Sequence, residues 1–147
     1  MTTYPREEVE AVFRRQRELN DTQQWEAYAD LFADDGVYVE HEMGTFVGPD
    51  AIREWIVPTM APLVNAGWEY PLDWYVIDGN RVIFRWWNRL PNPDPAGPVE
   101  QFQFGGVTIL EYAGDGKLGL QEDVYNMKEC EQVMAAWFAA GGSIPPA

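Results

Sequence analysis

The chain has 147 residues, of which 46% are hydrophobic and 14% aromatic, and its formal net charge is −14. This length and composition exclude an intrinsically disordered protein and predict one domain, residues 1–147, with a sizeable core. The strong negative charge without a basic patch argues against nucleic-acid or anionic-membrane binding. No apolar run reaches the length of a membrane span, and the N-terminus lacks an apolar signal-peptide core, so we expect a cytoplasmic location.

Rare residue types narrow the possible chemistry. Cys130 is the only cysteine, which excludes an internal disulfide, and the single histidine, His41, excludes the usual zinc and multi-histidine sites. The only serine, Ser143, lies in the C-terminal tail, and no glycine-rich phosphate loop is present. We therefore expect neither a metal ion nor an organic cofactor.

The first half of the chain is predicted to be mainly helical. Apolar residues at helical spacing predict three helices, over residues 6–19, 22–32 and 49–65, the last with a kink at Pro58. Residues 34–36 (DDG) have the composition of a turn. After this turn, residues 37–42 alternate in the manner of a strand that ends near His41.

The second half predicts an antiparallel meander and a last helix. The strands are expected over residues 72–77, 81–90, 99–112 and 117–125, with Gly105-Gly106 bulging or bending the third. A short C-terminal helix carries Val133, Met134, Trp137 and Phe138. Early helices and late strands indicate an α+β fold, with the helices packed on one face of an antiparallel sheet.

Three segments resemble the NTF2-like superfamily, in particular its SnoaL-like branch, which includes polyketide cyclases and ketosteroid isomerases. They are residues 31–35 (LFADD), 48–55 (GPDAIREW) and 121–126 (QEDVYN), and the order of elements extends the resemblance over nearly the whole chain. The resemblance implies an NTF2-like cone, in which a curved antiparallel sheet wraps around N-terminal helices and a short C-terminal helix follows. It does not imply one activity, because the superfamily contains isomerases, cyclases, dehydratases, epoxide hydrolases and binding proteins.

The strand over residues 81–89 indicates a partner for the sheet. One of its faces is apolar and carries Val82, Phe84 and Trp86. The other face is mixed and carries Ile83, Trp87 and three arginines, so we expect part of it to be covered. The resemblance implies what covers it, since NTF2-like domains commonly form homodimers through the outer face of the sheet.

The remaining chemistry is acid–base catalysis in an apolar cavity, where burial shifts pKa values towards neutrality. Aromatic residues are predicted to line a pocket for a small, planar or polycyclic hydrophobic ligand: Trp25, Tyr28, Trp55, Trp74, Trp86 and Tyr125. The alternative for each is a plain core residue. Gln16, on the extension of the first helix's apolar stripe, lies either at the rim or in the cavity.

His41 is the first candidate acid or base. It shares strand parity with Val37 and Val39, which predicts that it points into the cavity; the alternative is a hydrogen-bonded histidine of the core or rim. The resemblance to ketosteroid isomerases implies a base at the inward end of this strand. An ungapped count places that base at Glu40, whereas parity selects His41, so Glu40 stays the alternative.

Asp123 is the second candidate. The resemblance implies that it matches the last-strand aspartate that serves as acid or base in SnoaL-like cyclases, with Gln121 and Tyr125 also inside the cavity. The residue pattern leaves an alternative, because Glu122 shares a face with apolar residues and would then point inward instead. If His41 and Asp123 both point inward, the carboxylate can orient and charge the imidazole.

These observations predict a cofactor-independent enzyme of the cyclase, isomerase or dehydratase (lyase) type. His41 and Asp123 are expected to move a proton on a hydrophobic compound that contains a carbonyl group. The alternative is a non-catalytic module that binds a small apolar ligand or acts as a dimeric scaffold. A steroid isomerase in the strict sense is not expected, because the positions that match its oxyanion hole carry Arg15 or Gln16 and Thr108.

Overall fold

The computed structural model describes residues 3–146. Its elements in chain order are α1 (Arg6–Asp21), α2 (Trp25–Ala29), β1 (Phe32–Glu40), β2 (Gly44–Val47), α3 (Gly48–Asn65), β3 (Leu72–Asp78), β4 (Arg81–Arg89), β5 (Gln103–Gly114), β6 (Lys117–Tyr125) and α4 (Met127–Ala139). The predicted α+β class is confirmed. Within the described residues, no helix is long and apolar enough to cross a membrane.

The six strands form one sheet in the order β2-β1-β6-β5-β4-β3. β3 to β6 pair antiparallel as the predicted meander, but β1 pairs parallel with β6, so the sheet is mixed rather than wholly antiparallel. The expectation failed at this one pairing because local periodicity carries no information on which edge of the meander β1 joins. The pairing brings the ends of the first and last strands side by side.

The turn predicted at residues 34–36 is instead an irregular stretch within β1. The register between β1 and β6 shifts here, between Phe32 and Val37. A Cβ atom on Gly36 would lie 2.7 Å from the backbone oxygen of Leu118, so the close approach of the two strands requires glycine. Beyond the shift, Tyr38 and Glu40 are buried.

Gly105 and Gly106 do not bulge β5, because its register with β4 is continuous through both residues. They make room for side chains of β4 instead. A Cβ atom on Gly106 would lie 2.3 Å from the indole ring of Trp86, and one on Gly105 would lie 2.3 Å from the guanidinium group of Arg85. The two glycines thus let large side chains lie flat on opposite faces of the sheet.

The helices cover the inner face of this sheet. Phe13 of α1 packs on Phe84 of β4, with ring centroids 5.2 Å apart. The N-cap of α4 is Asn126, whose side chain accepts hydrogen bonds from the backbone N–H groups of Lys128 and Glu129. Its residue Trp137 is buried and donates a hydrogen bond to a backbone oxygen, which holds α4 over the end of the sheet.

Candidate active site

A cavity of about 370 Å³ lies between the helices and the inner face of the sheet. This volume is at the small end of the range of roughly 300–1,000 Å³ that is usual for small-molecule sites. Within residues 3–146, all four helices, four of the six strands and two connecting segments contribute to its wall, which is mostly apolar and aromatic. Its polar groups fall into two sets, one around Asp123 and one around Arg17.

The first set is centred on the carboxylate of Asp123 in β6. The hydroxyl of Tyr38 donates to Asp123 Oδ2 at 2.5 Å, and the hydroxyl of Thr108 donates to Oδ1 at 2.7 Å. The side-chain amide of Gln121 also donates to Oδ1, at 3.1 Å. These four residues, which we name the Asp123 side of the cavity, come from three neighbouring strands and therefore depend on the sheet pairing.

Further hydrogen bonds fix the direction of these donors. The indole N–H of Trp86 donates to Thr108 Oγ1 at 2.8 Å, and since an indole can only donate, the Thr108 proton is left for Asp123. The hydroxyl of Tyr28 accepts from Gln16 Nε2 at 2.6 Å and donates to Gln121 Oε1 at 2.7 Å. The amide nitrogen of Gln121 therefore faces Asp123, which is held as an acceptor from several directions.

Burial raises the pKa of Asp123, while the hydrogen bonds from Tyr38, Thr108 and Gln121 partly offset this by favouring the charged form; the net shift is upward. Burial also raises the pKa of Tyr38, which keeps its hydroxyl protonated as a donor. Asp123 itself remains partly accessible, through the cavity that it lines. A carboxyl group in this setting can both take up and release a proton.

Glu40 is the neighbour of Asp123 across the parallel pair of strands and also lines the cavity. It is 6% exposed, and its carboxylate accepts a hydrogen bond of 3.1 Å from the backbone N–H of Glu42. Burial raises the pKa of Glu40, and the charge of Asp123 raises it further, whereas contact with the hydroxyl of Tyr125 lowers it. Asp123 and Glu40 are thus neighbouring carboxyl groups, and the pKa of each is raised, mainly by burial.

His41 does not lie in the cavity, which corrects the placement predicted from parity. Its side chain is 55% exposed, and its Nε2 atom lies 2.7 Å from Glu122 Oε2 on the outer side of the sheet. The expected pair of His41 and Asp123 is therefore not formed. Parity failed because Val37 and Val39 face the outer surface, which is itself apolar, so alternation did not distinguish the two faces.

Of the residues predicted to bind the ligand, six line the cavity: Gln16, Trp25, Tyr28, Trp55, Trp86 and Tyr125. The seventh, Trp74, does not, and this placement is corrected. It is 46% exposed, because β3 turns Tyr75 towards Phe13 in the core and leaves Trp74 on the other face. No local pattern predicts this orientation, since both faces of β3 carry apolar residues.

The second set of polar groups, which we name the Arg17 side, comprises Arg17, Asn20, Trp25, Trp68 and Tyr70. Arg17 is 8% exposed and donates through Nη2 to Asp21 at 3.0 Å and to the backbone oxygen of Tyr70 at 2.5 Å. Its carbon Cζ lies 5.5 Å from the ring centroid of Phe84. Among the described residues that line the cavity, Arg17 is the only one with a cationic side chain.

Sequence reasoning missed Tyr38, Gln121 as a donor to Asp123, and the whole Arg17 side. Arg17 was part of a basic helical stretch whose other members are exposed, so its burial has no local signal. Tyr38 lay on the strand face taken as outer. Thr108 was noticed only as a departure from an oxyanion hole.

The chain matches the family model described as a SnoaL-like domain over residues 9–118. No match among curated proteins was found. Similar solved structures include an LEH-like epoxide hydrolase from M. tuberculosis, with 15% identity, 90% of this chain and 89% of that chain covered, and a TM-score of 0.67.

Two further structures show the same fold. A protein from Catenulispora acidiphila with a ketosteroid isomerase-like fold, in complex with trimethylamine, is 21% identical, with 86% of this chain and 92% of that chain covered and a TM-score of 0.65. A putative polyketide cyclase from Xanthomonas campestris is 17% identical, with coverage of 87% and 98% and a TM-score of 0.63. At these identities the similarity shows the NTF2-like fold, and no particular activity follows from it.

Proposed function

We propose that this chain, which belongs to the SnoaL-like family, is an acid/base enzyme. Its substrate would be a small hydrophobic compound with a carbonyl group, and the reaction a cyclisation, isomerisation or dehydration that needs no cofactor. The observation that carries this proposal is the carboxylate of Asp123, which holds three directed hydrogen bonds at the wall of an apolar cavity. The similar structures of an LEH-like epoxide hydrolase and a putative polyketide cyclase are in keeping with an enzyme.

In the proposed reaction, ionised Asp123 removes a proton from a carbon next to the substrate carbonyl. The electron pair moves to the carbonyl oxygen as an enolate, and the carboxyl group later returns the proton to the same or another carbon. Glu40 in its protonated form is the second acid, placed to donate to an oxygen of the substrate. Fixed donors around Asp123 keep its geometry while its charge changes, which limits reorganisation.

The proposal is tested by proton exchange, because this step is common to the candidate reactions. Three hydrophobic carbonyl compounds serve as probes: 2-tetralone, 2-acetylnaphthalene and a cyclic 1,3-diketone. Exchange of their α-protons in deuterated buffer is followed by NMR. We expect the wild-type protein to accelerate exchange of at least one probe, and Asp123→Asn to remove about 10²–10⁴-fold of that acceleration, the usual contribution of a positioned acid or base.

Glu122→Gln is the matched control, since it changes the neighbouring acid on the opposite face of the same strand. Its exchange rate, and that of His41→Ala, should stay within about twofold of wild type. Full activity in Asp123→Asn would contradict the assignment of the base. A wild-type protein that binds the probes but accelerates none of them would favour the alternative, a non-catalytic binding module.

We propose further that two copies of the chain associate through the outer face of the sheet. That face carries exposed apolar side chains on both edge and central strands, Trp74, Val76 and Val124 among them. Arg85 lies over the ring of Trp87, with Cζ 4.7 Å from its centroid, beside a shallow depression of about 410 Å³. An apolar surface of this kind, rimmed by charged groups, is typical of a protein interface.

Sedimentation velocity tests this association. We expect a dimer for the wild-type chain and a monomer for Val76→Glu, because a charge would be buried without a partner. Val64→Glu on α3 is the control, since Val64 is also partly exposed but lies away from this face. A monomeric wild-type chain, or a dimer that survives Val76→Glu, would contradict the proposed interface.

A further inference from the structure

The Arg17 side of the cavity has polar atoms that lack partners within the protein. They are Arg17 Nε, Asn20 Oδ1, Trp25 Nε1, Trp68 Nε1 and the Tyr70 hydroxyl, none of which finds a hydrogen-bond partner among the described residues. Three of the side chains are more than nine-tenths buried: Arg17, Trp25 and Trp68 are 8%, 6% and 4% exposed. A buried polar atom without a partner costs about 1–3 kcal/mol, so five of them on residues that line one cavity need an explanation.

The unpartnered atoms are mostly hydrogen-bond donors. The guanidinium and the two indoles can only donate, and the tyrosine hydroxyl can donate as well. A ligand group that satisfies several of them must therefore present acceptor atoms to this side of the cavity. A carboxylate or a similar ionised oxygen does so, and it also pairs with the charge of Arg17.

The charged side chains of the cavity favour one orientation of such a ligand. Arg17 is the single cationic side chain in the described lining, whereas Asp123 and Glu40 provide carboxyl groups on the Asp123 side. Asp21 neutralises Arg17 only in part, because its side chain is 58% exposed to water. These charges favour an anionic group at Arg17 over one at Asp123.

We propose that the ligand is a hydrophobic, planar or polycyclic compound with an anionic oxygen, and that Arg17 binds this oxygen while the reacting carbon lies at Asp123. This inference rests on the proposed function in that it takes the cavity as the substrate site. It adds the substrate's charge and its orientation. Arg17 is thereby a residue that determines specificity, separate from the acid and base.

The test uses 2-naphthoate and 2-naphthamide, which have nearly the same shape and differ in charge, in isothermal titration calorimetry at neutral pH. We expect the wild-type protein to bind the acid about tenfold or more tightly than the amide, as one charge-assisted hydrogen bond allows. Arg17→Met should remove this preference and leave the affinity for the amide unchanged. Arg17→Lys should retain part of it, because the charge remains.

Arg15→Met is the matched control on the same helix, since Arg15 is exposed and pairs with Glu18; it should keep the full preference. Asp21→Asn should increase the preference for the acid, because Arg17 then has no carboxylate beside it that offsets its positive charge. This second variant keeps the test decisive if Arg17→Met does not fold, and an amide at the C-terminal end of α1 suits the helix dipole better than a carboxylate.

The proposal is overturned if the wild-type protein binds the two compounds equally or binds neither, or if folded Arg17→Met keeps the preference. It is also overturned if Asp21→Asn leaves the preference unchanged or lowers it. If Arg17 serves only to tie α1 to the backbone at Tyr70, its loss lowers the melting temperature without changing the ratio of affinities. A preference without proton exchange would contradict the proposed function alone, and exchange without a preference would contradict this inference alone.

Discussion

The Asp123 side and the Arg17 side of the cavity differ in how far the protein satisfies its own polar groups. On the Asp123 side, Tyr38, Thr108 and Gln121 each donate to the Asp123 carboxylate, and further hydrogen bonds orient Thr108 and Gln121. Around Arg17, the guanidinium, two indoles and a hydroxyl keep donor atoms without partners among the described residues. The first arrangement suits proton transfer with fixed geometry, and the second suits recognition of a ligand that completes it.

Stability and ligand binding therefore depend on different sides of the cavity. Polar groups that are satisfied within the fold stabilise it, and their loss leaves buried atoms without partners. Polar groups that are unsatisfied within the fold lower its stability. A ligand that supplies their missing partners is bound more tightly for the same reason. Variants on the Asp123 side that remove a hydrogen-bond partner should therefore mainly lower stability. Variants on the Arg17 side should mainly lower the affinity for the ligand.

The largest expected effect on the Asp123 side comes from Gly106→Ala. The added Cβ atom meets the Trp86 ring, which is held by its hydrogen bond to Thr108, so the ring must move and Asp123 loses an oriented donor. We expect a loss of about 1–3 kcal/mol in the free energy of unfolding, as for other overpacked sites, together with slower proton exchange. Urea denaturation measures the first quantity and the NMR assay the second.

Gly105→Ala is its matched control. The Cβ atom there meets the far end of the flexible Arg85 side chain on the outer face, which can move aside. It should cost less stability than Gly106→Ala and leave exchange unchanged. Equal losses for the two variants would mean that the position of the Trp86 ring does not matter to the site.

A pair of tyrosine variants compares the two sides directly. Tyr28→Phe removes a hydroxyl that both accepts and donates, which leaves Gln16 and Gln121 with buried unpaired atoms, and we expect a loss of about 1–3 kcal/mol in stability. Tyr70→Phe removes a hydroxyl without a partner among the described residues. Its stability should match or slightly exceed that of wild type, while binding of 2-naphthoate weakens. Urea denaturation of the two variants side by side checks this, and equal destabilisation would remove the distinction between the sides.

The smallest expected effect is a change with pH in the stability of Asp123→Asn relative to wild type. Burial holds the pKa of Asp123 above 3.8 in the folded protein, so the fold binds this proton more tightly than the unfolded chain does. The resulting stabilisation is fully present below pH 3.8 and is lost as the pH rises through the raised pKa. Asparagine does not titrate, so the melting temperature of the variant relative to that of wild type should rise as the pH increases towards neutral. A difference that is constant with pH would show that the pKa is not raised.

The sequence predicted much of the fold because its signals are local. The meander of β3 to β6 follows from strand periodicity and from turn residues such as Asp78-Gly79-Asn80, and β6 has the bounds that were predicted. The helix α2 was predicted too long, since Leu31 and Phe32 continue an apolar helical pattern although Phe32 already pairs in β1. Here strand pairing outweighed helical propensity.

The site was less predictable because both faces of the sheet are apolar. Alternation placed His41 inside and Tyr38 outside, and the structure has them the other way round. For Asp123, the residue pattern left two orientations, and the resemblance to a family favoured the one in which Asp123 lines the cavity, as it does in the structure. Residue spacing thus identifies a strand more securely than it identifies which of its faces is buried.

By itself, the order of residues determined the α+β class, the meander and the absence of the residue types that most metal and nucleophile sites require. Only the three-dimensional packing decided that β1 lies parallel to β6, that Tyr38 and Thr108 meet Asp123, and that Arg17 is buried. The physical reason is the separation along the chain over which each kind of interaction acts. Helix and turn preferences act over a few neighbouring residues, whereas strand pairing and burial join residues that are far apart in the chain and have no local pattern.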